Sequence, residues 1–374
     1  MHDWLNQIGG AETVLEALAE MYPGAPIFTS IYWPERMPAD YRRWDIRTSF
    51  LNRWPLVKRY HQPFLPFYPL AFESLRLQDY DVVISNKSGF CHGVIVPPST
   101  LHICYCLTPT RYLWNTDEYL EREPAGRLKR WLLTPFLGAL RRWDRRAAGR
   151  VNQFLAISRA VQQRIERIYE RESRVIYPPV PIERYVPESE IGDFYLSVGR
   201  LIPYKRVDLL VQAFNQLGLP LVIVGEGRDR RRLEAMAGPN IRFTGRLDQA
   251  ETRRLFARCR AFLFPGLEDF GIAPVEAQAA GRPVIAFAAG GALDTVIDGQ
   301  TGLLFGEQTV EAVIAAVRRL EELGPAYFDP LALRRHAERY STARFKQEMG
   351  QFVEQAYREH RAAPAGCARK ECVS

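Results

Sequence analysis

The sequence of 374 residues predicts an α/β protein with two domains, each built on a parallel sheet. Three observations lead there. In the second half, short apolar runs end in Gly or Pro and alternate with helical stretches. The same order of strand, loop and helix recurs more loosely in the first half, and a proline-rich, acidic segment separates the two. Strands covered by helices on both faces read as continuous apolar runs, and ligands dock beyond their carboxyl ends.

In chain order, DVVISN (81–86), LHICYCLTPT (101–110) and VNQFLAISRAVQQRI (151–165) are the strand signals of the first half. VIYPPVPIERYVPESEIGD (175–193) is disfavoured as helix by its prolines and suits an exposed linker, with the domain boundary at 188/189. The second half gives FYLSVG (194–199), LPLVIVG (219–225), IRFTG (241–245), AFLFPG (261–266) and RPVIAFAAGG (282–291), interleaved with helical stretches such as VDLLVQAFNQL and DRRRLEAMA. A C-terminal helix is expected in STARFKQEMGQFVEQAYREH, and AAPAGCARKECVS reads as a disordered tail over 362–374.

Composition narrows the function classes. With 47% hydrophobic residues, the chain can bury two ordinary cores. No apolar run reaches the ~18–20 residues of a membrane span, and no basic-then-apolar leader opens the chain, so a cytoplasmic protein is expected. The six cysteines lack CxxC spacing, which points to reduced thiols and gives no indication of zinc. A formal charge of +7 suits phosphates or an anionic membrane face as partners. No GxGxxG follows a strand with an acidic residue ~20 positions on, which disfavours a nicotinamide enzyme.

The most informative stretch is FPGLEDFGIAPVEAQAAG (264–281). Glu268 and Glu276 bracket Gly271, which permits close backbone approach, and Pro274, which suits a first helical turn; Gly281 suits the helix stop. Free N–H groups at a helix start beside carboxylates can hold a polyhydroxylated, phosphorylated ligand from both ends, which suggests a sugar nucleotide.

The series GGAE (9–12), SVGRLIPYKRVDLLVQAF (197–214), VGEGRDRRRLE (224–234), FTGRLDQAE (243–251), FPGLEDFGIAPVEAQAAGRPVIA (264–286) and DGQTGLLF (298–305) resembles the family 4 glycosyltransferases over nearly the whole chain. Within that family, MHDWLNQIGGAE and CYCLTPTRYLW look most like the bacterial mannosyltransferases of O-antigen and exopolysaccharide assembly. The resemblance implies the GT-B fold, two Rossmann-like domains facing a central cleft. It places an acceptor-side domain at 1–188, a donor-nucleotide-binding domain at 189–345 and a C-terminal helix, 346–361, crossing back to the first domain.

Residue by residue, the resemblance implies that Arg200 and Lys205 bind the donor diphosphate and stabilise the leaving group. Glu268 would contact hydroxyls of the transferred sugar, and Glu276 the ribose, since carboxylate oxygens accept from vicinal diols. Backbone N–H groups of Phe270, Gly271 and Ile272 would meet sugar or phosphate, Arg246 and Leu247 belong to the base-binding loop, and Gly9 and Gly10 bring backbone to the diphosphate. Taken alone, Arg200 and Lys205 are also ordinary surface cations at a helix start, and the two glutamates ordinary solvated charges.

Departures from the family pattern fall in the first half. Leu107 stands where many relatives carry a histidine after CYC, and Ser88 where many have histidine, with His92 nearby. His92 reads either as an acceptor-side polar group or as a buried histidine satisfied by backbone. Arg111 and Trp114 read as acceptor-side residues, Trp114 equally as core. Relatives have a hydrophobic strand ahead of HDW, so the central first strand is expected to be missing, through a late start assignment or true loss.

The segment RLKRWLLTPFLGALRRWDRRAAGR (127–150) mixes Trp131, Leu132, Leu133, Phe136, Leu137 and Trp143 with six Lys and Arg side chains from Lys129 to Arg146. It reads either as an interfacial helix, placing the enzyme at the inner face of the membrane, or as a helix packed on its own domain. Nucleic acid is not an expected partner. The expected activity is a metal-free, cofactor-free retaining transfer of a hexose, mannose from GDP-mannose first, to a saccharide or lipid-linked acceptor in surface polysaccharide synthesis. A UDP-sugar donor and a catalytically silent sugar-nucleotide-binding protein are the alternatives.

Overall fold

A computed structural model of the protein describes residues 1–114 and 127–362, with no side-chain account of 112 and 127–135. Of the tail expected over 362–374, Ala362 ends the helix Thr342–Ala362 and residues 363–374 lie outside the described residues. The chain divides into two compact units. Unit 1 comprises Met1–Ile157, Val161–Tyr177 and the chain from Phe345, and unit 2 comprises Ser158–Ala160 and Pro178–Arg344.

Unit 1 holds β1 (Ile27–Thr29) paired with β2 (Ile46–Thr48), and a parallel sheet of β3 (Val82–Lys87), β4 (Leu101–Cys106), β5 (Gln153–Ala156) and β6 (Ser173–Val175) in that order. Each pairing is parallel, as in Val82 with Leu101 and Ile103 with Gln153. Every residue of β4 is buried, as the apolar run LHICYC requires of a strand covered on both faces. At the place of the central strand expected to be missing, His2 forms parallel bridges to both Thr29 of β1 and Asn86 of β3. The core beneath the helix Tyr68–Glu73 gathers Trp4, Tyr68, Phe72 and Phe90, and Phe345 from the C-terminal helix Thr342–Ala362 packs its ring on Tyr105.

Unit 2 is one six-stranded parallel sheet. Its strands are β7 (Tyr195–Val198), β8 (Leu221–Val224), β9 (Ile241–Gly245), β10 (Phe262–Phe264), β11 (Val284–Phe287) and β12 (Gly302–Phe305), ordered β12-β11-β10-β7-β8-β9. Five of them coincide with the apolar runs of the second half, and β12 closes one edge from within GLLF. The chain starts in the middle at β7, moves outward through β8 and β9, then returns to β10 on the other side of β7. That reversal leaves a crevice at the carboxyl ends of β7 and β10, where open α/β sheets bind ligands.

The proline-rich segment is only partly an exposed linker. Val180, Ile182 and Tyr185 are buried, and Val180 N–H donates to Tyr340 O at 2.9 Å, so unit 2 begins at Pro178. Proline excludes helix here but leaves an extended backbone free to seat apolar side chains in the core. Among the described residues, no helix is long and apolar enough to cross a membrane.

Candidate functional site

The crevice of unit 2 is lined by Ser197 of β7 with Arg200 and Lys205 from the segment after it, and by Phe264 of β10 with Gly266 and Glu268 from the segment after it. Lys205 and Glu268 form an ion pair, each keeping about a fifth of its side-chain surface, at 20% and 18%. Lys205 also stands 5.9 Å from the ring centroids of Phe264 and Tyr204. Arg200 is exposed and carries no ion pair among the described residues.

The approach of the two segments explains their residue types. A Cβ on Gly266 would sit 2.9 Å from the Lys205 Cα, so only glycine lets the loop after β10 pass this close to the lysine. Arg206, in the left-handed region at φ 54°, turns the chain from the short 3-10 turn Pro203–Lys205 into the helix Val207–Leu217. Strain of this kind persists where surrounding contacts fix it. Here Arg206 is held by Asp208 at 3.3 Å, and Gln308 donates to Pro265 O at 2.7 Å.

Beyond Glu268 the chain enters the helix Ile272–Ala279 through Gly271 at φ 87°, where a side chain would strike the Phe264 ring. Phe270 is buried with its ring edge-on to Tyr340, which leaves its backbone as the part that can meet a ligand. Glu276 is half-buried, and its carboxyl bonds the Tyr185 hydroxyl. Burial pushes the Glu276 carboxyl above the ordinary glutamate value, and the Tyr185 bond opposes that shift. Gly291 N–H donates to Glu268 O at 2.8 Å, fixing the loop from the β11 side.

At the end of β9, Arg246 is exposed and Leu247 half-buried, directly before Asp248, which caps the helix Gln249–Arg258 by accepting from Glu251 N–H at 2.8 Å. The predicted residues Arg200, Lys205, Glu268, Gly271, Glu276 and Arg246 thus all follow the carboxyl ends of strands of one sheet, β7, β10 and β9. What the residue types alone did not disclose is that Lys205 and Glu268 meet each other. Tyr185, assigned to a linker, and Gln308 also support the site, and no local sequence signal marks either.

Unit 1 collects charge in a different manner. Gly9 precedes and Gly10 opens the helix Gly10–Met21, whose Glu12 is buried 3.2 Å from His2 Nε2. Asp3 is buried, and its two carboxylate oxygens accept backbone N–H groups of Ser88, Gly89, Phe90 and Cys91 at 2.6, 2.6, 2.6 and 2.8 Å. Bonds from N–H to an ionised carboxylate are about twice as strong as neutral ones, so this one side chain sets the loop after β3.

A second buried cluster sits under the loop after β4. Lys87 donates to Thr108 O and Thr110 Oγ1, both at 3.2 Å, and Thr110 Oγ1 lies 3.1 Å from Asp144 Oδ1. Asp144 Oδ2 accepts from Trp114 Nε1–H and the Tyr169 hydroxyl, both at 2.7 Å. Burial opposes the Lys87 charge, but Cys106, Asp144, Cys104 and Asp3 together leave the ammonium above the ordinary lysine value. The cluster positions the segment carrying Arg111, which opens the short helix Arg111–Trp114.

One first-half reading is corrected by these contacts and a second is narrowed. His92 is fully buried with Nε2 3.3 Å from Asp144 O, and burial, followed by Lys87, drives its pKa well below the ordinary histidine value. It is a neutral core group, not an acceptor-side one. In the helix Arg127–Ala148, Leu140, Asp144, Ala147 and Ala148 are buried, Trp143 donates to Glu73 Oε1 at 2.8 Å, and Arg141 and Arg145 donate to Leu113 O and Ile168 O. This half of the segment packs on its own unit because its arginines cap carbonyls there. The interfacial reading of Lys129, Arg130, Trp131, Leu132 and Leu133 falls on side chains outside the described residues.

Comparison with known proteins agrees with this architecture. Residues 8–184 match the family model described as Glycosyltransferase Family 4, and residues 184–342 match that of Glycosyl transferases group 1. An uncharacterised glycosyltransferase of Methanocaldococcus jannaschii is 29% identical over 158 residues, 41% of this chain and 45% of that protein. A GDP-mannose-dependent alpha-mannosyltransferase of Mycolicibacterium smegmatis is 41% identical over 120 residues, 32% of each chain. The first of these curated relatives is thus matched over less than half of its length. Among solved structures, HepE of Anabaena in complex with UDP superposes with a TM-score of 0.70 at 17% identity, covering 95% of this chain and 99% of that one.

Proposed function

We propose, from the premise that the chain belongs to the family 4 glycosyltransferases of GT-B fold, that it is a retaining enzyme moving mannose from GDP-mannose to a saccharide or lipid-linked acceptor. One observation carries the reading, the Lys205–Glu268 pair with exposed Arg200 beside it at the switch point between β7 and β10. A diphosphate entering there meets two cations. The pair keeps about a fifth of its side-chain surface in water, so a diphosphate reaching the crevice can take the place of Glu268 beside Lys205. Glu268, relieved of the lysine, is then free to accept from hydroxyls of the transferred sugar.

The chemistry follows from that exchange. The bond from the anomeric carbon to the diphosphate oxygen breaks, Arg200 and Lys205 stabilise the charge that builds on that oxygen, and the acceptor hydroxyl adds from the same face. Its proton passes to the departing diphosphate, so no protein nucleophile and no metal is required. Glu276, aligned by Tyr185, accepts from the ribose.

GDP as the nucleotide is supported by the 41% identity to the mannosyltransferase, and a UDP-sugar by the UDP held in HepE, a likeness of fold alone. Thermal melting separates these readings. GDP should raise the melting temperature more than UDP, and NMR of the product should show the donor's own anomeric configuration. Protection by UDP alone would replace the donor. GDP binding with no transfer and no donor hydrolysis would make the protein a silent sugar-nucleotide binder.

A further inference from the structure

We propose that a cavity at the amino ends of β7, β10 and β11 in unit 2 binds a neutral saccharide ring, apart from the donor. Ile191 borders it ahead of β7, Arg260 ahead of β10 and Arg282 ahead of β11. Glu321 and Phe328 close the other side, from the end of the helix Val310–Leu323 and the turn beyond it. The Lys205–Glu268 crevice lies at the carboxyl ends of the same sheet, so β7, four residues and about 13 Å long, stands between the two sites. The cavity measures about 170 Å³. A space for one water needs about 10–15 Å³, so this one has room for roughly ten, the scale of a sugar ring and well beyond a single ion.

Arg282 supplies a fixed donor. It is only 2% exposed, and the cavity is a space that it borders. Its Nε donates to Ala257 O at 2.6 Å and its Nη2 to Glu188 O at 2.6 Å and Glu190 O at 3.3 Å, which locks the guanidinium plane. Among the described residues its Nη1 bonds no protein group. Buried donors are as a rule paired, so the partner of Nη1 is a group that enters the cavity. Glu321 supplies acceptors. Its Oε1 takes the Tyr195 hydroxyl and its Oε2 takes Arg260 Nη2–H at 2.6 Å, and a carboxylate has about four acceptor positions, so about two are left for a ligand. Leu320 and Phe328 give an apolar wall, and Ile191, 37% exposed, stands beside them.

The charges around the cavity decide between a saccharide and an anion. Arg260 is paired with Glu321, Glu188 attracts the Arg282 charge, and Arg258 is paired with Glu190. No cation is left over to hold a phosphate. The helix Val310–Leu323 also ends here, and its negative pole repels an anion while its last carbonyls accept from hydroxyls. An anion can only accept, whereas a sugar hydroxyl both donates and accepts. A hydroxylated ring therefore uses the Arg282 donor, the Glu321 acceptors and the apolar wall together, the mixture by which small-molecule sites fix one orientation. A glycan held there stays on the protein while the donor crevice remains open to the nucleotide.

The inference is independent of the transferase reading, because binding is measured without donor or turnover. Hydrogen exchange of the full chain, followed by mass spectrometry, is compared with and without millimolar methyl α-mannoside, methyl α-glucoside, inorganic phosphate and glycerol. At least one glycoside should slow exchange in both 189–193 and 320–328, the segments that border the cavity, and phosphate and glycerol should leave both unchanged. In a titration read at the same segments, Glu321→Gln should bind that glycoside about tenfold more weakly, through loss of a hydrogen bond to a charged acceptor. Ile191→Ala, at an exposed position, should weaken it about threefold and serves as the test should Glu321→Gln not fold. Absence of protection by both glycosides, equal protection by phosphate or glycerol, or wild-type affinity in the folded variants would each overturn the proposal.

Discussion

At the ends of β7 and β10, Lys205 and Glu268 keep 20% and 18% of their side-chain surface, whereas Lys87 and Asp144, under the loops after β3 and β4, keep none. Both regions hold a cation and a carboxylate, those of unit 1 on the last residue of β3 and on the helix Arg127–Ala148, and the difference lies in how they are satisfied. In unit 2 the partners bond mainly each other, with Arg200 in reach of solvent. In unit 1 the charges are spread over Thr110, Trp114, Tyr169 and backbone carbonyls. A pair that keeps a fifth of its surface in water can trade partners with a ligand, whereas a fully buried one holds loops in place.

The sharpest break of that comparison is Asp144→Ala. It leaves the Lys87 ammonium buried without its carboxylate and strands the Trp114 and Tyr169 donors, so stability should fall by about 3–5 kcal/mol. Urea unfolding measures this, and a loss under about 1 kcal/mol would mean the cluster is not structural. Lys205→Ala should do the reverse, lowering turnover by about 10²–10³ with a smaller loss of stability than Asp144→Ala. Gly266→Ala lies between them. Its Cβ meets the Lys205 backbone, and a destabilisation of about 1–3 kcal/mol, read by thermal melting, should accompany weaker nucleotide protection.

The smallest effect on stability is expected at Glu276. Its carboxyl is raised by burial, so the folded state holds the proton more tightly than the unfolded chain. Its contribution is therefore fully present below the ordinary glutamate range and lost as pH rises toward the folded value. Glu276→Gln should match or slightly exceed the wild type at neutral pH, by up to about 1 kcal/mol, and the gap should close below about pH 4. Protection by nucleotide should be lost in the same variant. A melting temperature that drops at neutral pH would contradict the burial argument.

The two regions also differ in how much of them the sequence discloses. Parallel strands buried on both faces are continuous apolar runs, so β7 to β11 and the loops after them are visible from local pattern alone. Gly266, Gly271 and the glutamates at 268 and 276 fall in one segment, where spacing conveys their relation. The unit 1 network joins residues remote in sequence, such as Asp3 to Phe90 and Thr110 to Asp144, and no local period records those pairings. His92 shows the consequence. Its residue type suggested chemistry, and only its surroundings reveal a neutral core group. Tyr185 is hidden for a related reason, because a proline-rich stretch looks exposed whether or not its apolar side chains find a core.

The most direct test is the rate of GDP release from GDP-mannose by the wild type and by Lys205→Ala, with both proteins confirmed folded by melting temperature. The account predicts release by the wild type and a rate about 10²–10³ lower in the variant. A variant that releases GDP at close to the wild-type rate would contradict the assignment of leaving-group charge to the crevice between β7 and β10.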